Sequence, residues 1–218
     1  MEPYQVGSPS RGDLTSEEQI QIQWNPIEDN SEETGGSVIL SYNLQWKQKY
    51  SLDDFTDLVG QNGSPALVAE FIQTENVFAG VTYSFRVRAQ NALGFGPFSS
   101  EVDITAAKVP EKPEAPSTSI DNVSVRISWV DPDPNSSPIT GFEVMVATST
   151  GEFVFDLLYC DAATEPIVSQ RYCEIPVSVL RAAPYSLEFD DTVYAKFRAS
   201  NTYGWSVYSE FNSEGAQI

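Results

Sequence analysis

The chain has 218 residues, 41% hydrophobic and 20% charged, an ordinary globular composition with room for two cores of about 100 residues each. Its net charge of −19 is spread evenly, 15 acidic and 6 basic residues over 1–110 and 16 and 6 over 111–218. Such a surface repels phosphate backbones and anionic membranes, which argues against nucleic acid as a partner and against direct membrane insertion.

The absence of histidine removes His-based triads, His metal ligation and the commonest general base. No apolar run nears the roughly 18 residues of a membrane span. Met1–Tyr4 lacks the basic and apolar regions of a signal peptide, and the chain reads as a segment of a larger protein behind an added Met, with Tyr4 opening a first strand.

Arg11, Gly12 and Asp13 form the tripeptide used by extracellular integrin ligands, a candidate adhesion site if exposed at a loop tip. A polar turn around Gly12 is the plainer reading. From Gln19 to Trp24, Ile20, Ile22 and Trp24 alternate with glutamines, the period of a half-buried strand. An acidic loop, Asn25–Gly36, follows. Val38–Lys49 alternates again with Leu40, Tyr42, Leu44 and Trp46 on one face, and Leu67–Ile72 is a further short strand. Thr82–Asn91 turns Tyr83, Phe85, Val87 and Ala89 inward and Ser84, Arg86, Arg88 and Gln90 outward. Ser99–Ala106 closes the module.

Lys108–Pro116 holds three prolines and predicts a short semi-rigid spacer between modules 1–108 and 109–218. Beyond it, Val125, Ile127 and Trp129 face inward. The loop Asp131–Ser137 comes next, then Phe142, Val144 and Val146, and late in the chain Val193, Ala195, Phe197 and Ala199. Residues 156–190 form an extended region, in which Ile175–Ala183 predicts a helical turn or two with Pro176 at its start. Cys160 and Cys173 lie there, flanking a polar stretch. Their spacing suits a disulfide worth about 3 kcal/mol for a ring of about 15 residues, with two separate buried thiols as the alternative. A disulfide implies an oxidising compartment.

Trp24 and Trp129 stand 105 residues apart, and Arg88–Gly94 returns as Arg198–Gly204. A period near one hundred residues is the size of one domain, so two copies of one β module are expected. Their short strands, separated by turns, predict an antiparallel sandwich.

The strand tryptophans, the segment Ser137–Phe142 and the run Gly80–Gly94 resemble fibronectin type III domains, as found in repeats of large multi-domain cell-surface proteins. The resemblance covers nearly the whole chain. It implies two tandem immunoglobulin-like all-β sandwiches, with Trp24 and Trp129 in the cores and Tyr83 as the tyrosine corner, hydrogen-bonded to nearby backbone. In the second copy Val193 aligns with Tyr83, so that bond is expected to be missing, with the cysteine-bearing insert steadying the crossover instead. Trp205–Ser209 and Phe95–Ser99 resemble the aromatic-serine repeat of cytokine-receptor modules, which implies cation–π stacking with Lys196 and Arg198 or with Arg86 and Arg88.

Asp131, Asp133 and Asn135 have the oxygen-ligand spacing that opens a calcium loop, although Pro134, Ser136 and Phe142 depart from the pattern. Calcium is the one candidate cofactor. Asn62, Asn122 and Asn135 begin N-glycosylation sequons. The expectation is a non-catalytic spacer and adhesive scaffold in an extracellular or cell-surface protein, its partners being other proteins or neighbouring repeats. The competing readings are a ligand-binding receptor ectodomain and an intracellular cytoskeletal or filament module, the last of which predicts free thiols.

Overall fold

The computed structural model describes residues 1–29, 32–61 and 63–218, and divides them into two compact units, Met1–Lys108 and Val109–Ile218. In the first unit, β1 (Ser10–Arg11), β2 (Ile20–Gln23), β3 (Ser41–Gln48), β4 (Thr56–Val59), β5 (Glu70–Gln73), β6 (Thr82–Asn91), β7 (Gly94–Phe95) and β8 (Val102–Thr105) form two antiparallel sheets. One has the order β1-β2-β5. The other runs β4-β3-β6, with β7 and β8 both pairing along β6. Alternation on the inner faces buries Ile20, Ile22 and Trp24 against Tyr42, Leu44, Trp46, Tyr83, Phe85, Val87 and Ala89.

Three details depart from the sequence pattern. Leu40 is exposed and Ile39 is buried in its stead. The two-residue period holds only within a strand, and β3 begins at Ser41, one residue after the Leu40 amide donates to Gln90 O. The strand expected at Leu67–Ile72 lies at Glu70–Gln73, because its register is set by β2 with Ile22 opposite Phe71, leaving Leu67 and Val68 exposed. Strand β4 has no hydrophobic alternation to announce it. Pairing to β3 and polar contacts hold it, Asn43 Nδ2 donating to Asp57 Oδ1 at 2.7 Å and to Val59 O at 3.0 Å.

The second unit repeats the plan with β9 (Ser117–Asp121), β10 (Ser124–Ser128), β11 (Gly141–Ala147), β12 (Phe153–Phe155), β13 (Tyr172–Pro176), β14 (Ala195–Asn201) and β15 (Gly204–Trp205). The sheets are β13-β10-β9 and β12-β11-β14-β15. Trp129, Phe142, Phe197 and Val193 meet between them. From Val109 onward the proline-rich stretch is bonded into this unit. Asn135 Nδ2 donates to Val109 O at 2.6 Å, Glu111 N donates to Asp133 O at 2.9 Å, and Lys112 pairs with Glu210.

The insert contains two short helices, α1 (Ile167–Gln170) and α2 (Val177–Leu180). Pro176 precedes α2, where its missing N–H leaves no bond unmade, and Leu180 buries the helix against the core. The polar stretch between the cysteines is not loose: α1 lies within it, and Arg171 ends that helix in the left-handed region at φ 63°.

Candidate functional site

Tyr83 builds its corner from the strand outward. Alternation along β6 sends the ring into the core, where it stacks on Trp46 at 4.9 Å. The hydroxyl donates to Asn76 O at 2.9 Å and accepts from Phe78 N at 3.0 Å, while burial pushes its pKa up. In the second unit Val193 occupies the aligned position, fully buried. A tyrosine from the insert, Tyr185, is packed into that core, and sequence reasoning had passed over it. Its hydroxyl donates to Asp156 Oδ2 at 3.1 Å, and Asp156 Oδ1 accepts from the amides of Leu158 and Tyr159. Burial first, and Asp156 second, push the Tyr185 phenol up. Only the fold pairs residues 29 positions apart, and Tyr185 sits in no strand whose period could have flagged it.

Cys160 and Cys173 are joined by a disulfide with Cα atoms 5.2 Å apart, both residues buried. Cys173 lies in β13 opposite Ile127, so the bond fastens the insert to a core strand.

Each unit stacks cations between rings on the outer face of its larger sheet. Arg86 lies 4.0 Å from both Phe55 and Phe98, and Arg88 lies 4.1 Å from Phe95 and 4.2 Å from Phe98. In the second unit Lys196 lies between Phe153 and Tyr208, and Arg198 between Trp205 and Tyr208, at 4.4 to 4.9 Å. The serines of the aromatic-serine segments explain how the rings are held. Ser209 N donates to Phe197 O while its hydroxyl accepts from Phe197 N, and Ser206 does the same with Ala199. Ser99 repeats the arrangement with Val87. Each hydroxyl supplies an acceptor that the edge of the strand lacks, and the aromatics are thereby aimed back over the cations.

Burial and a 2.7 Å hydrogen bond to Glu143 push the Tyr208 phenol up to about 12. A free phenol titrates near about 10. Between those values the unfolded chain has released a proton that the folded chain keeps. This contribution to stability is therefore present below about pH 10 and lost as pH rises toward about 12. Urea midpoints measured across this window are expected to fall, and to fall less steeply in Tyr208→Phe; equal slopes in the two proteins would contradict the assignment.

The tripeptide is not presented for adhesion. Arg11 Nη2 donates to Ala107 O at 2.6 Å and to Thr15 O at 3.2 Å, drawing the guanidinium onto the body of the unit. Gly12 is buried against the Gln21 side chain, and its amide donates to Gln21 O; Asp13 alone is exposed.

The polar groups of the candidate calcium loop are bonded within the unit. Asp131 is held bidentately by Arg171 at 2.5 and 2.9 Å, Asp133 Oδ1 accepts from Asn135 N, and the Asn135 amide is turned to Val109 O. Among the described residues no group of three or more acidic, cysteine or histidine side chains is placed to hold a metal ion.

The same geometry separates the sequons. Asn135 is 3% exposed with its amide nitrogen engaged, so it cannot carry a glycan in the folded unit. Asn122 is exposed in the two-residue turn between β9 and β10, at φ 56°. Asn62 lies outside the described residues.

The family model of the fibronectin type III domain matches residues 7–105. Residues 7–105 are therefore a fibronectin type III domain. The chain is 27% identical over 175 residues to the mouse fibronectin type-III domain-containing protein 3A, and 31% identical over 124 residues to the mouse fibronectin type III domain containing protein 3C1. These alignments cover 77% and 50% of the chain, which spans only 14% and 8% of those relatives. A crystal structure of the chicken CNTN1 FN1-FN3 domains matches 97% of the chain and 67% of its own length with a TM-score of 0.51 at 16% identity, a likeness of fold alone. Fibronectin type III domains are generally non-catalytic and mediate contacts between proteins, and the disulfide is compatible with an extracellular setting.

Proposed function

We propose that the chain is a non-catalytic pair of fibronectin type III modules, 1–108 and 109–218, serving as spacer and protein-interaction scaffold in a larger extracellular or cell-surface protein. The buried Cys160–Cys173 disulfide carries this reading, because such a bond forms and persists in oxidising compartments. The anchored cations support it too. Arg86, Arg88, Lys196 and Arg198 are all committed to rings on their own unit, which leaves an acidic surface for partners. Among the sequons, Asn122 is the exposed candidate for glycosylation, its Nδ2 donating to the neighbouring Asp121 carboxylate, and Asn62 remains a sequence-level candidate.

Intact mass of protein isolated from its native source, alkylated under denaturing conditions with and without a reductant, tests the placement. The expected result is two alkyl groups only after reduction. Alkylation of both cysteines without reductant would move the chain to an intracellular setting, the alternative in which it serves a cytoskeletal or filament protein.

A further inference from the structure

We infer that the second unit has a one-side-chain docking notch for a basic, apolar peptide segment of another protein; the inference rests on the reading of the chain as an interaction module. The notch arises where the edge of β11 loses its partner. β12 ends with Phe155 opposite Met145, and the next neighbour along that edge is Ala162, whose carbonyl accepts from Phe142 N at 3.0 Å. Between them the chain turns outward at Asp156, held there by Tyr185 and by the Leu158 and Tyr159 amides. Opposite Val144 this leaves a hollow of about 200 Å³ whose lining is mostly apolar. A dry apolar cavity of about 150 Å³ holds a benzene ring, so this one suits a single phenylalanine or leucine side chain.

The rim is unusual for a water-facing surface. Leu157 is 76% exposed, Phe155 45% and Trp205 40%, and all three line the notch. Contiguous exposed apolar groups of this kind mark interaction sites. Charge selects the occupant. Asp161 lines the hollow, Glu143 beside it being paired with Arg198 and Tyr208, in a unit with 16 acidic and 6 basic residues over 111–218. A second copy of this chain, itself at −19, is repelled, whereas an apolar residue flanked by lysine or arginine is attracted.

The test titrates isotope-labelled protein, disulfide intact, with a short peptide bearing one phenylalanine between pairs of lysines, read by amide and indole chemical shifts. Saturable shifts at Leu157, Ala162, Ala163 and the Trp205 indole are expected. Replacing the peptide's phenylalanine with alanine, or its lysines with glutamates, is expected to weaken binding by about tenfold or more. Ala163→Leu, an exposed position whose larger side chain fills the hollow, should do the same while leaving distant shifts in place. Leu157→Ser gives an independent reading from the rim. The inference is overturned by shifts spread over the acidic surface without saturation, by equal binding of the alanine or glutamate peptides, or by A163L binding unchanged. It is also overturned if the same residues shift with protein concentration alone, which would make a second copy the occupant. Thiol status is measured separately, so failure here leaves the extracellular reading standing, and the reverse.

Discussion

Trp129→Ala is expected to destabilise the second unit by about 3–5 kcal/mol and to leave the first unit's core intact. The indole is 5% exposed and lies 5.5 Å from Phe142 and 5.8 Å from Phe197, at the junction of the two sheets. Truncation removes both ring contacts and opens a cavity that close-packed neighbours fill only in part. One opposing term reduces the loss. Trp129 Nε1 is buried with no hydrogen-bond partner among the described residues, and removing it relieves a penalty of about 1–3 kcal/mol. Trp129→Phe, which keeps a ring and loses the stranded N–H, should therefore cost much less than alanine. Native-state hydrogen exchange can measure this by unit. Protection should fall along β11 and β14 and hold along β3 and β6, because the two buried clusters share no residue. A loss below about 1 kcal/mol, or equal losses in both units, would contradict the assignment.

Removing the disulfide is the second large effect. Replacing both Cys160 and Cys173 with alanine frees the 13-residue separation in the unfolded chain, a difference of about 3 kcal/mol for a loop of this size. The same bond fixes the insert to β13, so its loss should also be local. Limited proteolysis is expected to cut between Leu157 and Arg171 in the double variant and to spare the oxidised protein. Urea unfolding gives the magnitude. A double variant within about 0.5 kcal/mol of the parent would show that packing around Leu180 and Tyr185 holds the insert without the bond.

The sandwich and its cores were legible from the chain alone. Ile20, Ile22 and Trp24, and Val125, Ile127 and Trp129, recur at every second residue, and a strand presents alternate side chains to opposite faces whatever its surroundings. The cation–π ladders followed from the resemblance of the aromatic-serine segments to cytokine-receptor modules. Outward residues of β6 and β14 must meet whatever lies along the sheet edge, and the aromatic-serine segments lie there. Short polar motifs fared differently. Arg11 and Gly12 belong to a tripeptide that reads as adhesive, yet Ala107 O, 96 residues away, takes the guanidinium. Asn135 reads as a glycan acceptor, yet its amide nitrogen is buried and donates to Val109 O.

Periodicity is a local property of the backbone, so the chain by itself determined the core strands that carry Trp24 and Trp129 and the faces they bury, but neither β4 nor the bounds of β5. Side-chain hydrogen bonds are set by whichever donor and acceptor the fold brings within about 3 Å, regardless of separation in the chain. The tertiary structure alone therefore decided that Tyr185 reaches Asp156, that Asp131 is held by Arg171, and that β11 is left with an open edge at Val144.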